Sequence, residues 1–137
     1  MTKMKIGLWI SLAVVLAALA GWLYGWSGTA SLRHEVATTG LRLLLAEARM
    51  KALDARVDIY TTNFGNASRN LEYVKAPLQQ ARERVSGERR PELVAKIDAA
   101  LQQATEAQQL ASKFSQDANG RAGEVSRLID DVLQATR

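Results

Sequence analysis

Cysteine is absent from the 137 residues and histidine occurs once, at His34. No disulfide framework, thiolate metal site or multi-histidine cluster can therefore exist. Three Trp, three Tyr and two Phe make a sparse aromatic set. They do not alternate with basic residues as a base-stacking surface would, and no run of five basic residues occurs. A nucleic-acid partner is thus not expected despite a net charge of +4. Also missing are a nucleophile elbow, a phosphate-cradling glycine loop and an HExxH pair. Carboxylates are scattered along the chain, so the sequence reads as that of a protein that is not an enzyme and has no cofactor or metal.

What the chain does contain is one long apolar stretch followed by seven-residue repeats. Ile6 to Trp26 is 21 residues without a charge. At ~1.5 Å per residue a helix of that length spans about 31 Å, the thickness of a bilayer's hydrocarbon core. The stretch predicts a transmembrane helix over 6–26. Lys3 and Lys5 in the short segment 1–5 place the N-terminus in the cytoplasm. Trp22, Tyr24 and Trp26 cluster at the far end, at headgroup level. A cleaved signal peptide ending at Ala18-Leu19-Ala20 is the competing reading. Continued apolarity through Trp26 favours an uncleaved signal anchor, in a single-pass protein of the bacterial-type inner membrane with residues 27–137 periplasmic. Ala13, Ala17, Gly21 and Gly25 recur every four residues, a small-residue stripe suited to packing of transmembrane helices.

Beyond the span, apolar residues keep heptad register. The a positions are Leu43, Met50, Val57, Phe64, Leu71, Leu78 and Val85, and the d positions are Ala46, Leu53, Tyr60, Ala67, Val74 and Ala81. Gly87 suits a left-handed helix end and Pro91 the first turn of the next helix. A second array has a at Val94, Leu101, Gln108, Ser115, Ala122 and Ile129, and d at Ile97, Ala104, Ala111, Ala118, Val125 and Val132. The expected fold is all-α, a long antiparallel coiled-coil hairpin. Its first arm covers about 31–86, its turn 87–90 and its second arm 91–136. Facing positions that sum to 175 set Leu53 opposite Ala122, and Arg82 and Lys75 within reach of Asp98. Nine Lys/Arg against six Asp/Glu in 31–86, and five against seven in 91–137, suit arms lying against each other. Pro77 should bend the first arm. Helix-weak clusters at Asn63-Phe64-Gly65-Asn66 and Asp117-Ala118-Asn119-Gly120 offer a second fold, in which each arm breaks and folds back into a four-helix bundle. Heptad phase runs through both clusters, and on that ground the arms are expected to be continuous.

Two features of such a hairpin invite function. Leu93, Phe114 and Leu128 share a third apolar column that a two-stranded seam does not need, a possible partner face. Asn63, Asn66, Gln108, Ser115 and Asn119 make the seam polar at one height, which either fixes register or forms a ligand notch. Arg42, Arg49 and Arg56 repeat at position g, most simply as a solvated column. No motif identifies a family. The sequence therefore predicts a membrane-anchored structural or interaction protein: an oligomeric scaffold, or an accessory subunit of a larger envelope complex. Its partners would be the lipid bilayer and either copies of itself or another envelope protein. The alternative is a sensory or ligand-binding module using the polar notch, although nothing in the sequence calls for a small-molecule ligand.

Overall fold

A computed structural model describes the backbone of residues 2–136; ahead of Glu35, the surroundings of only Val15, Ala17, Ala18, Gly21 and Trp22 are described. The described residues form four helices: α1 (Thr2–Tyr60), α2 (Phe64–Gly87), α3 (Pro91–Ser112) and α4 (Ala118–Ala135). No strand occurs among the described residues. Contacts divide the chain into two units, Met1–Ala37 and Thr38–Arg137.

In the first unit the backbone is helical from Thr2. Among the described residues, no helix is long and apolar enough to cross a membrane. The expected span, 6–26, falls mostly on side chains outside the described ones. So do Ala13 and Gly25 of the small-residue stripe, while Ala17 and Gly21 are exposed.

In the second unit both expected arms break, which corrects the hairpin. At the end of α1, Thr62 takes φ 60°. The Asn63 N–H donates to the Asp58 carbonyl (2.7 Å) and the Thr62 N–H to that of Ile59 (3.0 Å). This crossed pair satisfies the last carbonyls of the helix and reverses the chain. Asn63 then caps α2, its side chain accepting from the Asn66 N–H at 3.4 Å. The end of α3 repeats the device. Phe114 has φ 59°, Ser115 N–H donates to Leu110 (3.0 Å) and Phe114 N–H to Ala111 (2.9 Å). Between α2 and α3 the left-handed residue is Arg89, φ 55°, and not Gly87, which stays helical. All three reversals thus use a residue with a side chain where glycine is the common choice.

The result is four antiparallel neighbours. Asn70 of α2 donates to Asp58 of α1 (2.7 Å). Arg82 of α2 pairs with Asp98 of α3 as expected, Nη2 to Oδ2 at 3.2 Å. Lys75 does not reach Asp98; it is held by Gln108 and Glu72. Arg121 of α4 bonds Gln103 of α3 (3.2 Å). Arg56 of α1 donates to Asn119 of α4 (2.9 Å), so the outer ends of the arms do lie side by side at the expected level. Pro77 is buried inside α2, which continues across it.

Two hydrophobic clusters fill the bundle. One joins Leu45, Leu78, Ile97, Ile129 and their neighbours from all four helices. The other, towards the Thr62 and Phe114 reversals, is built mainly of alanines: Ala55, Ala67, Ala107, Ala111, Ala118 and Ala122, with Ile59 and Leu71. Such small side chains let helix axes approach closely.

Register explains why the sequence suggested unbroken arms. On α2 and α4 the expected a and d residues are inside: Leu71, Val74, Leu78, Ala81 and Val85, then Ala122, Val125, Ile129 and Val132 are buried. On α1 they lie on the outer side, with Leu53 half-buried. Leu41, Leu45, Ala48, Ala52, Ala55 and Ile59 face the core, two positions later in the heptad. The outer stripe of α1 is what stays in phase with α2 across residues 61–63; the buried face does not.

Candidate interaction surface

α1 carries two seven-residue patterns on opposite sides. The inner one occupies heptad positions c and f and is filled by the bundle. The outer one occupies a and d and, from Leu43 to Tyr60, is largely uncovered among the described residues: Leu43 is 69%, Met50 53%, Val57 63% and Tyr60 82% exposed. Ala46 is exposed beside them and Leu53 is half-buried. Isolated exposed apolar residues are ordinary, but an ordered row along one helix face is the kind of surface that proteins cover with a partner. In the first unit Val15, Trp22 and Val36 are also exposed. Counted along the sequence they fall at the same seven-residue interval.

Charge borders this row. On one flank stand Arg42, Arg49 and Arg56 at position g; on the other stand Glu47 and Asp54 at position e. Arg49 Nε lies 2.6 Å from Asp130 Oδ1 of α4. That nitrogen is buried and its alignment falls short of a hydrogen bond. Arg56 is held by Asn119. Asp54 Oδ2 lies 3.9 Å from Lys51 Nζ, its one ion pair among the described residues. Two shallow grooves flank the row. One, of about 420 Å³, includes Arg49, Met50, Leu53 and Asp130; the other, of about 300 Å³, lies between Leu53, Val57, Tyr60 and Asn119.

The column Leu93, Phe114 and Leu128 is not a single outer face. Leu93 is buried, as are Ala100 and Ala107 of the same column. Folding back gives α3 neighbours on two sides, so the surplus apolar width is used inside the bundle. Leu128 packs partly against the same core. Only Phe114 is out, 76% exposed at its left-handed turn, with its ring edge-on to Phe64 at 5.8 Å between centroids. The outer face is visible in the sequence as the α1 heptad itself, which lies on the outer side of the helix and not in the core.

The five polar residues serve the chain reversals and helix contacts. Asn63 caps α2, and Asn66 accepts from Arg69. Gln108 accepts from Lys75, Ser115 Oγ accepts from the Asp117 N–H at 3.3 Å, and Asn119 accepts from Arg56. Nearby, Gln116 donates to the Ile59 carbonyl (3.3 Å) and joins the two reversals. Each of the five is therefore engaged within the bundle.

Three exposed groups have shifted ionisation. Lys75 and Gln108, which hydrogen-bond its side chain, keep the Glu72 carboxyl below the usual carboxylate range. Asp98 raises Arg82, and Glu124 raises Arg127. Among the described residues, no group of three or more His, Cys, Asp or Glu is placed to hold a metal ion. No protein-family model matches the chain, and neither does any curated protein or solved structure.

Proposed function

We propose that the protein is a membrane-anchored interaction module, a scaffold or accessory subunit of an envelope complex whose helical bundle offers the outer face of α1 to another protein. The observation that carries this reading is the uncovered a/d row from Leu43 to Tyr60. A closed bundle has no internal need for a second heptad face on one of its helices. Ordered apolar residues in water are costly to keep unless binding buries them. The anchor half of the reading rests on sequence, the uncharged stretch 6–26 preceded by Lys3 and Lys5. It places the bundle on the far side of the inner membrane, in the periplasm.

Two measurements test the two halves. Alkaline extraction of membranes should leave the full chain in the pellet, and a phosphatase fused after Arg137 should be active only if the C-terminus is periplasmic. Recovery in the soluble fraction would remove the anchor. For the surface, Leu43, Met50 and Val57 replaced together by glutamine should abolish co-purification of partner protein while helicity is retained. Unchanged co-purification would move the interaction elsewhere.

A further inference from the structure

The outer row of α1 is two columns wide, bounded by charge on both sides, and repeats every seven residues. That is the shape of a two-stranded coiled-coil seam; wider apolar faces serve larger assemblies. We propose that a second copy of this chain occupies it, with the two α1 helices parallel. This inference rests on the reading of that face as the interaction surface and names its partner.

The flanking charges choose both partner and direction. In a parallel pair, each g residue faces the e residue five positions later on the other helix. Arg42 then meets Glu47 of the second copy, and Arg49 meets Asp54. The twofold axis repeats both contacts, so four opposite-charge pairs line the seam. In an antiparallel pair g faces g and e faces e, which sets arginines against arginines and carboxylates against carboxylates. Among the described residues Arg42 and Glu47 make no ion pair, and Asp54 pairs only with the distant Lys51. Arg49 offers its terminal nitrogens, its Nε being turned to Asp130. Arg56 finds Thr61 at the matching e position, outside the helix, and keeps its bond to Asn119.

Along the seam, identical residues face one another: Leu43, Met50 and Val57 at a, Ala46, Leu53 and Tyr60 at d. Pairing leaves the bundle intact, because Leu41, Leu45, Ala48, Ala52, Ala55 and Ile59 occupy the other side of the helix.

The chain has no cysteine of its own, so single cysteines report the pairing without background. The full chain is purified in mild detergent with micelles in excess, and oxidised with copper–phenanthroline. Met50→Cys and Val57→Cys should form disulfide dimers readily. Lys51→Cys on the same helix and Tyr73→Cys on α2 should not. In the cysteine-free chain, Arg42→Glu and Glu47→Arg should each weaken self-association roughly tenfold, and the double exchange should restore it. Met50→Glu with Val57→Glu should make the chain monomeric, with its thermal midpoint at high dilution unchanged because neither residue lies in the core. Cross-linking that ignores heptad position, or no rescue by the double exchange, would overturn the inference. A monomeric wild-type chain, together with cross-linking of the Met50→Cys variant to a different protein by a cysteine-to-amine reagent in intact membranes, would overturn it while leaving the proposed function standing. A monomer that cross-links to no protein would remove both.

Discussion

Leu43 and Leu45 stand two residues apart on α1 and offer a matched test of which face is inside. Leu45 is fully buried, in a cluster that draws on all four helices; Leu43 is largely exposed. Replacing leucine by alanine removes three carbons, about 2.4 kcal/mol of transfer free energy at ~0.8 kcal/mol per carbon, and leaves a cavity that adds to it. Leu45→Ala should therefore cost about 3 kcal/mol. For the 100 residues of Thr38–Arg137, a loss of that size lowers the thermal midpoint by roughly 12–24 °C. Leu43→Ala should cost no more than about 0.5 kcal/mol in the monomer. Circular dichroism of the full chain in detergent, monitored through the thermal transition, reads both. The comparison belongs at a dilution where the midpoint no longer depends on protein concentration, so that loss of pairing is not mistaken for loss of core. Had the a/d heptad of α1 been the core seam, the order would reverse. A costly Leu43→Ala beside a harmless Leu45→Ala would refute the inward face assigned here.

Other expectations follow from the helix ends and the exposed ion pairs. Gly87 and Gly120 are helical, have no positive φ, and nothing lies within 4 Å of where a Cβ would stand. Alanine at each should stabilise by about 0.5–1 kcal/mol, read as a higher urea midpoint at unchanged slope. Arg89 holds a left-handed conformation on an exposed turn. Arg89→Gly should be neutral to stabilising by up to about 1 kcal/mol, the opposite of the usual cost of introducing glycine; a clear loss in the same titration would show that the turn is held by more than its backbone. The Glu72 carboxyl is held low by Lys75 and Gln108. Its contribution is present above the usual carboxylate range and disappears as pH falls through the depressed value. A carboxyl-carbon NMR titration should place Glu72 below ordinary glutamates, and Lys75→Met should move it back up. No movement would mean that Lys75 does not set it.

Much of the architecture is legible in residue order. The 3.5-residue spacing makes helices, Pro91 begins α3, and the helix-weak clusters lie at the starts of α2 and α4, beside the reversals. What misled was the assumption that a turn would disturb heptad phase. α1 carries two apolar patterns, and the exposed one happens to run into α2 without a step. Thr62 and Phe114 also hid the reversals, because a β-branched residue and a phenylalanine are uncommon at the left-handed position that closes a helix. The interaction surface shows the same ambiguity: its heptad spacing is that of a core seam, and the spacing of Leu93 is that of a surface column, although Leu93 is buried.

Taken alone, the chain's composition and periodicity determined that this is a helical protein without thiol chemistry, with one apolar stretch at its start and helix-weak clusters at residues 63–66 and 117–120. Periodicity states which side chains share a face, but not what the face meets. Only the packing of four helices decided that. The c/f face of α1, rich in alanine, admits close neighbours and went inside. The bulkier a/d face was left in water, because one helix in a four-membered bundle can turn only one side inward.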